Sequence, residues 1–155
     1  MGVLVRSILV LALCLSLGAG PARAIGGDDS ASKQSPVYAQ AAKLVEAGKF
    51  AAAIPLLQKT AAKESKNADA CNLLGYSHRK RGGVEAALTH YGRALELDPQ
   101  HRGANEYLGE LYLELGRLDE AQARLAELDQ ACFFGCEEYS ELKAMIAAYQ
   151  AKTGS

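Results

Sequence analysis

Small and large apolar residues recur in one order at a spacing of about 34 positions, and this recurrence restricts the fold more than any other feature of the chain. Set beneath one another without gaps, blocks 34–67, 68–101 and 102–135 bring Gly48, Gly82 and Gly116 into one column. Ala53, Ala87 and Ala121 fill a second column, Ala41, Gly75 and Gly109 a third, and Leu57, Tyr91 and Leu125 a fourth. Each column has a physical meaning. Small residues let paired helices approach closely, and a glycine in the left-handed conformation ends a helix and reverses the chain. Pro99 cannot extend the helix before it and marks the passage to the next block.

The spacing predicts helices over 36–47, 50–64, 68–81, 84–97, 102–115 and 118–131. Ser35-Pro36 suits a cap followed by proline at the first helical position. Pro55 is placed near a helix start, where its missing N–H costs least. A seventh stretch, 137–152, carries Tyr139, Leu142, Met145, Ile146 and Tyr149 at helical spacing. Stacked repeats leave an apolar face at each end, and an amphipathic last helix covers one.

Leu74-Gly75, Gly82, Ala87, Tyr91, Ala94 and the ending Leu95-Glu96-Leu97-Asp98-Pro99-Gln100-His101, with Leu108-Gly109, Tyr112, Gly116, Ala121 and Leu125 after them, resemble the tetratricopeptide repeat family across roughly 34–131. The resemblance implies an all-α fold, a right-handed α-solenoid of three helix hairpins plus a capping helix, as one domain over 36–152. The run Cys132-x-x-Gly135-Cys136-Glu137-Glu138-Tyr139-x-x-Leu142-Lys143 is also similar to the ending of small exported tetratricopeptide proteins of proteobacteria. It brings no activity with it.

Residues 1–24 read as an export signal. Arg6 lies in a short amino-terminal region, Ser7–Leu17 is nearly all apolar, and Ala22-Arg23-Ala24 forms the small-x-small cleavage pattern. The apolar run of about 11 residues is short of the ~20 that span a bilayer. Cys14 would serve a lipoprotein signal, but Leu13 before it is too large for that cleavage. Cleavage is expected after Ala24, into the periplasm, with no stable membrane insertion afterwards. It removes two of the 17 basic residues, taking the formal charge from −1 to −3, and leaves Cys71, Cys132 and Cys136. Residues 25–35 (IGGDDSASKQS) are too polar to pack and read as a linker. The near-neutral charge, 6% aromatic residues and absence of Trp give no reason to expect nucleic acid as a partner.

Between the third hairpin and the cap, Gly135 is expected to interrupt the helix between Cys132 and Cys136. In an oxidising compartment a turn brings the sulfurs together as a structural disulfide. The alternatives are a thiol-redox or soft-metal (copper) accessory site on the same pair, or unpaired thiols, and the partner of each cysteine stays open with respect to Cys71. Cys71 reads as a small buried thiol.

No nucleophile–base pattern, phosphate loop or metal-ligand spacing occurs, and His78, His90 and His101 are assigned to three different faces. The reading is therefore non-catalytic, without metal or cofactor. The first helix of each pair lines the concave side of such a stack. Its exposed positions are expected to be Tyr38, Ala42 and Val45, then Asn72, Tyr76, Arg79 and Lys80, then Glu106, Glu110, Leu113 and Glu114. Tyr38 and Tyr76 would supply apolar contact, Asn72 amide hydrogen bonds and Arg79 charge recognition for an extended peptide. The acidic strip at 106–114 would favour a basic segment. Tyr38 and Ala42 stand where chaperone-type members hold a carboxylate clamp, so such a clamp is not expected. The partner is an unidentified protein or peptide, with homo-oligomerisation through an uncovered repeat end as a further route.

Overall fold

A computed structural model describes residues 35–154, so the export signal and nearly all of the linker lie outside the described residues. The order is α1 (Pro36–Glu46), α2 (Phe50–Lys63), α3 (Ala68–Lys80), α4 (Val84–Leu97), α5 (Arg102–Glu114), α6 (Leu118–Ala131) and α7 (Glu137–Thr153). Each observed end lies within one residue of its expected position. No helix among the described residues is long and apolar enough to cross a membrane.

Local chemistry sets the ends. Ser35 Oγ accepts from the Tyr38 N–H, and Asn67 Oδ1 accepts from the Ala70 N–H. His101 caps α5, its Nδ1 accepting the Ala104 N–H at 3.1 Å while Nε2 faces Asp69 Oδ1. Gly48, Gly82 and Gly116 have φ of 70°, 78° and 73°, which reverses the chain inside each hairpin. Pro55 departs from expectation, for it stands inside α2 beyond the first turn. Its side chain is exposed, as is Ala51 a turn before, so water can satisfy the carbonyl that its missing N–H leaves free.

The helices form an all-α solenoid whose core is a series of clusters between neighbours. Tyr38, Ala41 and Val45 of α1 meet Ile54 and Leu57 of α2 and Leu74 of α3. Ala87 and Tyr91 meet Leu108 and Leu111, and Leu113, Ala121 and Leu128 meet Leu142 and Ile146 of α7. Each cluster joins adjacent units only, as in a quasi-one-dimensional stack. A polar tie crosses one junction: fully buried Asn105 donates to the carbonyls of Pro99 and His101 and accepts from Arg124 Nη1. Cys71 is a buried free thiol packed with Ala94 and Ala104, and burial raises its pKa.

Cys132 and Cys136 are bonded to each other (S–S 2.04 Å, Cα–Cα 5.6 Å), and Gly135 turns between them with φ 83°. The closed loop holds Phe133 and Phe134 in water, 87% and 97% exposed, with their rings edge to face.

The histidines do not occupy three separate faces. The antiparallel α3–α4 hairpin stacks His78 on His90, with centroids 5.3 Å apart and planes 15° apart. Burial, and then the neighbouring His78, lower the pKa of His90. Such a group stabilises the fold above the unfolded-state value near 6.5, and this contribution is lost as pH falls through its lower folded value. On the acid limb, from pH 6.5 toward pH 5, the His90 contribution to the melting temperature is therefore expected to fall. His90→Gln should flatten that limb in scanning calorimetry, and an unaltered slope would assign the loss to other groups.

Candidate functional site

The first helices of the second and third hairpins and the cap enclose a cavity of about 530 Å³. From α3 it is lined by Asn72, Leu73, Tyr76 and Lys80, and from α5 by Gly103, Glu106, Tyr107 and Glu110. From α7 come Glu137, Glu138 and Glu141. Asn72, Tyr76, Glu106 and Glu110 thus line one cavity, although Asn72 and Glu106 are buried where the register suggested exposed positions.

Three other expected groove residues are elsewhere. Tyr38 is buried in the α1–α2–α3 cluster, where desolvation pushes its phenol up to about 12. Leu113 is buried against α6 and α7, and Val45 is core as well. The apolar faces of α1 and α5 are wider than the single stripe assumed from register, because each helix packs against two neighbours. Arg79 is 9% exposed and already paired: Nη1 lies 2.6 Å from Glu110 Oε2, and Nε and Nη2 contact Glu114 Oε1. Burial opposes its charge, but Glu114 and Glu110 more than offset this and hold the guanidinium above its ordinary range. Arg79 is a strut between α3 and α5, not a recognition group. Arg79→Leu is expected to cost about 2 kcal/mol, because it strands the half-enclosed Glu110 carboxylate. Chemical denaturation would show this, with partial recovery when Glu110→Gln is added.

Aromatic rings share the cavity with the acids. Tyr76 meets Tyr107 at 4.9 Å between centroids and Phe50 edge-on at 5.9 Å, and Lys80 Nζ stands 5.1 Å over the Tyr76 ring. The working tyrosine pair is therefore Tyr76 and Tyr107, not Tyr38 and Tyr76. Burial, with Glu106 beside it, pushes the Tyr107 phenol up to about 12.

Glu106 is the most perturbed acid. It is 4% exposed, and burial, a hydrogen bond to Glu141 and the charges of Glu110, Glu141 and Glu138 push it up to about 8. Asn72 is 7% exposed and lines the same cavity, with Oδ1 buried and without a hydrogen-bond partner among the described residues.

Sequence reasoning missed Tyr107 and the carboxylates of α7. Glu137, Glu138 and Glu141 share one helical face by their spacing, which is a usable signal. That this face borders α5 is a matter of packing. At the end of α6, Cys132 Sγ, Cys136 Sγ and a Glu138 oxygen lie within 4.8 Å of one another. In the bonded form each sulfur is spent on the other and neither is a thiolate donor.

Two tetratricopeptide repeat models match the chain, over residues 38–82 and 78–146. Between them they cover every hairpin and most of the cap, and the chain belongs to the tetratricopeptide repeat family. No curated protein matches the sequence. Among solved structures, the Yersinia enterocolitica type III secretion translocator chaperone SycD is similar at TM-score 0.68 and 19% identity, covering 77% of this chain and 84% of that one. PcrH in complex with the chaperone binding region of PopD is similar at TM-score 0.68 and 22% identity, covering 82% and 96%. The first tetratricopeptide domain of Spaghetti (RPAP3), bound to the HSP90 peptide SRMEEVD, is similar at TM-score 0.65 and 18% identity, covering 74% and 90%. At these identities the likeness is one of fold.

Proposed function

We propose that this protein is a non-catalytic adaptor, exported to the periplasm, that holds an extended segment of another protein in the cavity between α3, α5 and α7. One observation carries the reading: the cavity between α3, α5 and α7 sets the half-exposed rings of Tyr76 and Tyr107 beside five carboxylates. An extended peptide has spare backbone N–H donors and apolar side chains, which are the complements of such a wall. Solved neighbours of the same fold hold peptides, as in the PcrH and Spaghetti complexes, and this supports the reading. The acidic lining would repel a segment like SRMEEVD, so the occupant here differs from that one.

Tyr76→Ala should remove the partner recovered by crosslinking in the envelope compartment, with circular dichroism showing that the variant keeps its helices although the ring packs on Phe50 and Tyr107. Unchanged recovery would overturn the groove assignment. Export is supported by the three zones of residues 1–24. Intact mass of the recovered protein should correspond to a chain beginning at Ile25, and a full-length chain in the cytosol would refute export.

A second reading, self-association, is favoured by the exposure of Phe133 and Phe134 in a covalently closed loop. If it holds, sedimentation should show a larger species at tens of micromolar that F133S/F134S converts to monomer. A monomer throughout would dismiss it.

A further inference from the structure

We propose that the segment held in this groove presents an arginine or lysine, whose cation seats between Glu106 and Glu141 beside the rings of Tyr76 and Tyr107. This rests on the reading of the groove as a peptide site and names the chemistry of its occupant.

The charges facing the seat come from three helices. From α5 and α7, five carboxylates line the cavity: Glu106, Glu110, Glu137, Glu138 and Glu141. Against them, Arg79 of α3 is committed to Glu110 and Glu114, Arg102 of α5 stands 3.8 Å from Glu138, and Lys80 lies over Tyr76 at the edge. Glu106, Glu137 and Glu141 have no basic partner among the described residues. A buried carboxyl left in that position lowers its cost by staying protonated or by gaining a cation. Glu106 does the first, sharing a hydrogen bond with Glu141 across the α5–α7 junction.

The surroundings fit a cation rather than a metal ion. Tyr76 already carries one ammonium on its ring, and the tilted Tyr76–Tyr107 pair offers aromatic surface to the side-chain stem. A guanidinium can span two carboxylates with its planar fork, which favours arginine over lysine.

Occupancy then carries a proton balance. At neutral pH Glu106 holds its proton; as the cation enters, that proton leaves to the buffer and the guanidinium pairs with Glu106 and Glu141. Affinity should rise with pH by up to about tenfold per unit below pH 8, the slope of one proton released per segment bound.

The test begins with selection of a random heptapeptide display library on the purified protein at pH 7.5. A selected peptide and its arginine-to-citrulline analogue are then titrated calorimetrically in phosphate and in Tris. Expected are enrichment of arginine and lysine, a loss of at least tenfold with citrulline, and release of about one proton at pH 7. Glu106→Gln should abolish the proton release. Glu141→Gln, on the exposed rim, should reduce the release without touching the buried residue. Peptides that depend on Tyr76 but show no basic enrichment, or equal affinity for arginine and citrulline, would overturn the cation seat and leave the groove intact. Absence of any peptide sensitive to Tyr76→Ala would overturn both.

Discussion

Replacing Leu142 with alanine should lower the melting temperature by about 10 °C, the largest effect expected of any single truncation in the cap. Leu142 is fully buried, and its Cδ2 would lie only 2.6 Å from a Cβ placed on Gly109. The leucine fills the space that Gly109 leaves open, so α7 rests directly on the α5 backbone. Truncation forfeits the transfer free energy of the side chain and opens a cavity, together about 3 kcal/mol. For a domain of this size each kcal/mol shifts the midpoint by roughly 3–5 °C. Because α7 also carries Glu137, Glu138 and Glu141, peptide binding should weaken in the same variant. Met145→Ala, on the exposed side of α7, should cost well under 1 kcal/mol and serves as the comparison. A calorimetric shift of less than about 3 °C for Leu142→Ala would show that the cap does not hold the stack.

Gly75 and Gly92 should respond to alanine with opposite signs although both stand inside helices of one hairpin. Alanine in a helix interior normally gains about 1 kcal/mol over glycine. At Gly75 the added Cβ would stand 2.6 Å from Tyr91 Cδ1 and 2.7 Å from Cε1, and Tyr91 is fully buried with no room to withdraw. Forcing α3 and α4 apart should cost about 2 kcal/mol net. At Gly92 nothing lies within 4 Å of the added atom, so Gly92→Ala should stabilise by roughly 0.5–1 kcal/mol. Adding Tyr91→Leu to Gly75→Ala should recover part of the loss in denaturant titrations. A stabilised Gly75→Ala variant would mean that the hairpin can relax and that the ring contact does not set helix separation.

Half-buried His90 and buried Glu106 contribute to the pH dependence of stability with opposite sense. His90, lowered, withdraws its contribution as pH falls below about 6.5. Glu106, raised to about 8, contributes most at low pH and loses its contribution as pH rises through that value. A filled groove would suppress the alkaline limb, since a cation replaces the proton there.

The repeat was legible because its columns encode local and nearest-neighbour physics. Gly48, Gly82 and Gly116 reverse the chain through their own φ, and Ala53, Ala87 and Ala121 are buried by the helix next in sequence. Groove membership was legible only in part. Asn72, Tyr76, Glu106 and Glu110 could be placed by register, whereas Arg79 fell to the carboxylates of α5 and Tyr38 and Leu113 to the core. The stacked His78–His90 pair likewise depends on how α3 and α4 are rotated about their axes.

By itself, then, the sequence determined where helices start and stop and which of them pair, because caps, left-handed glycines and the 34-residue spacing act within one or two turns. Only the tertiary structure decided which charges are spent and which are free. Ion pairing is a competition among all groups within a few ångströms, and Arg79 meets Glu110 and Glu114 across more than thirty residues of chain. The same packing brought the carboxylates of α7 beside Glu106 and made an acidic groove from residues on three separate helices.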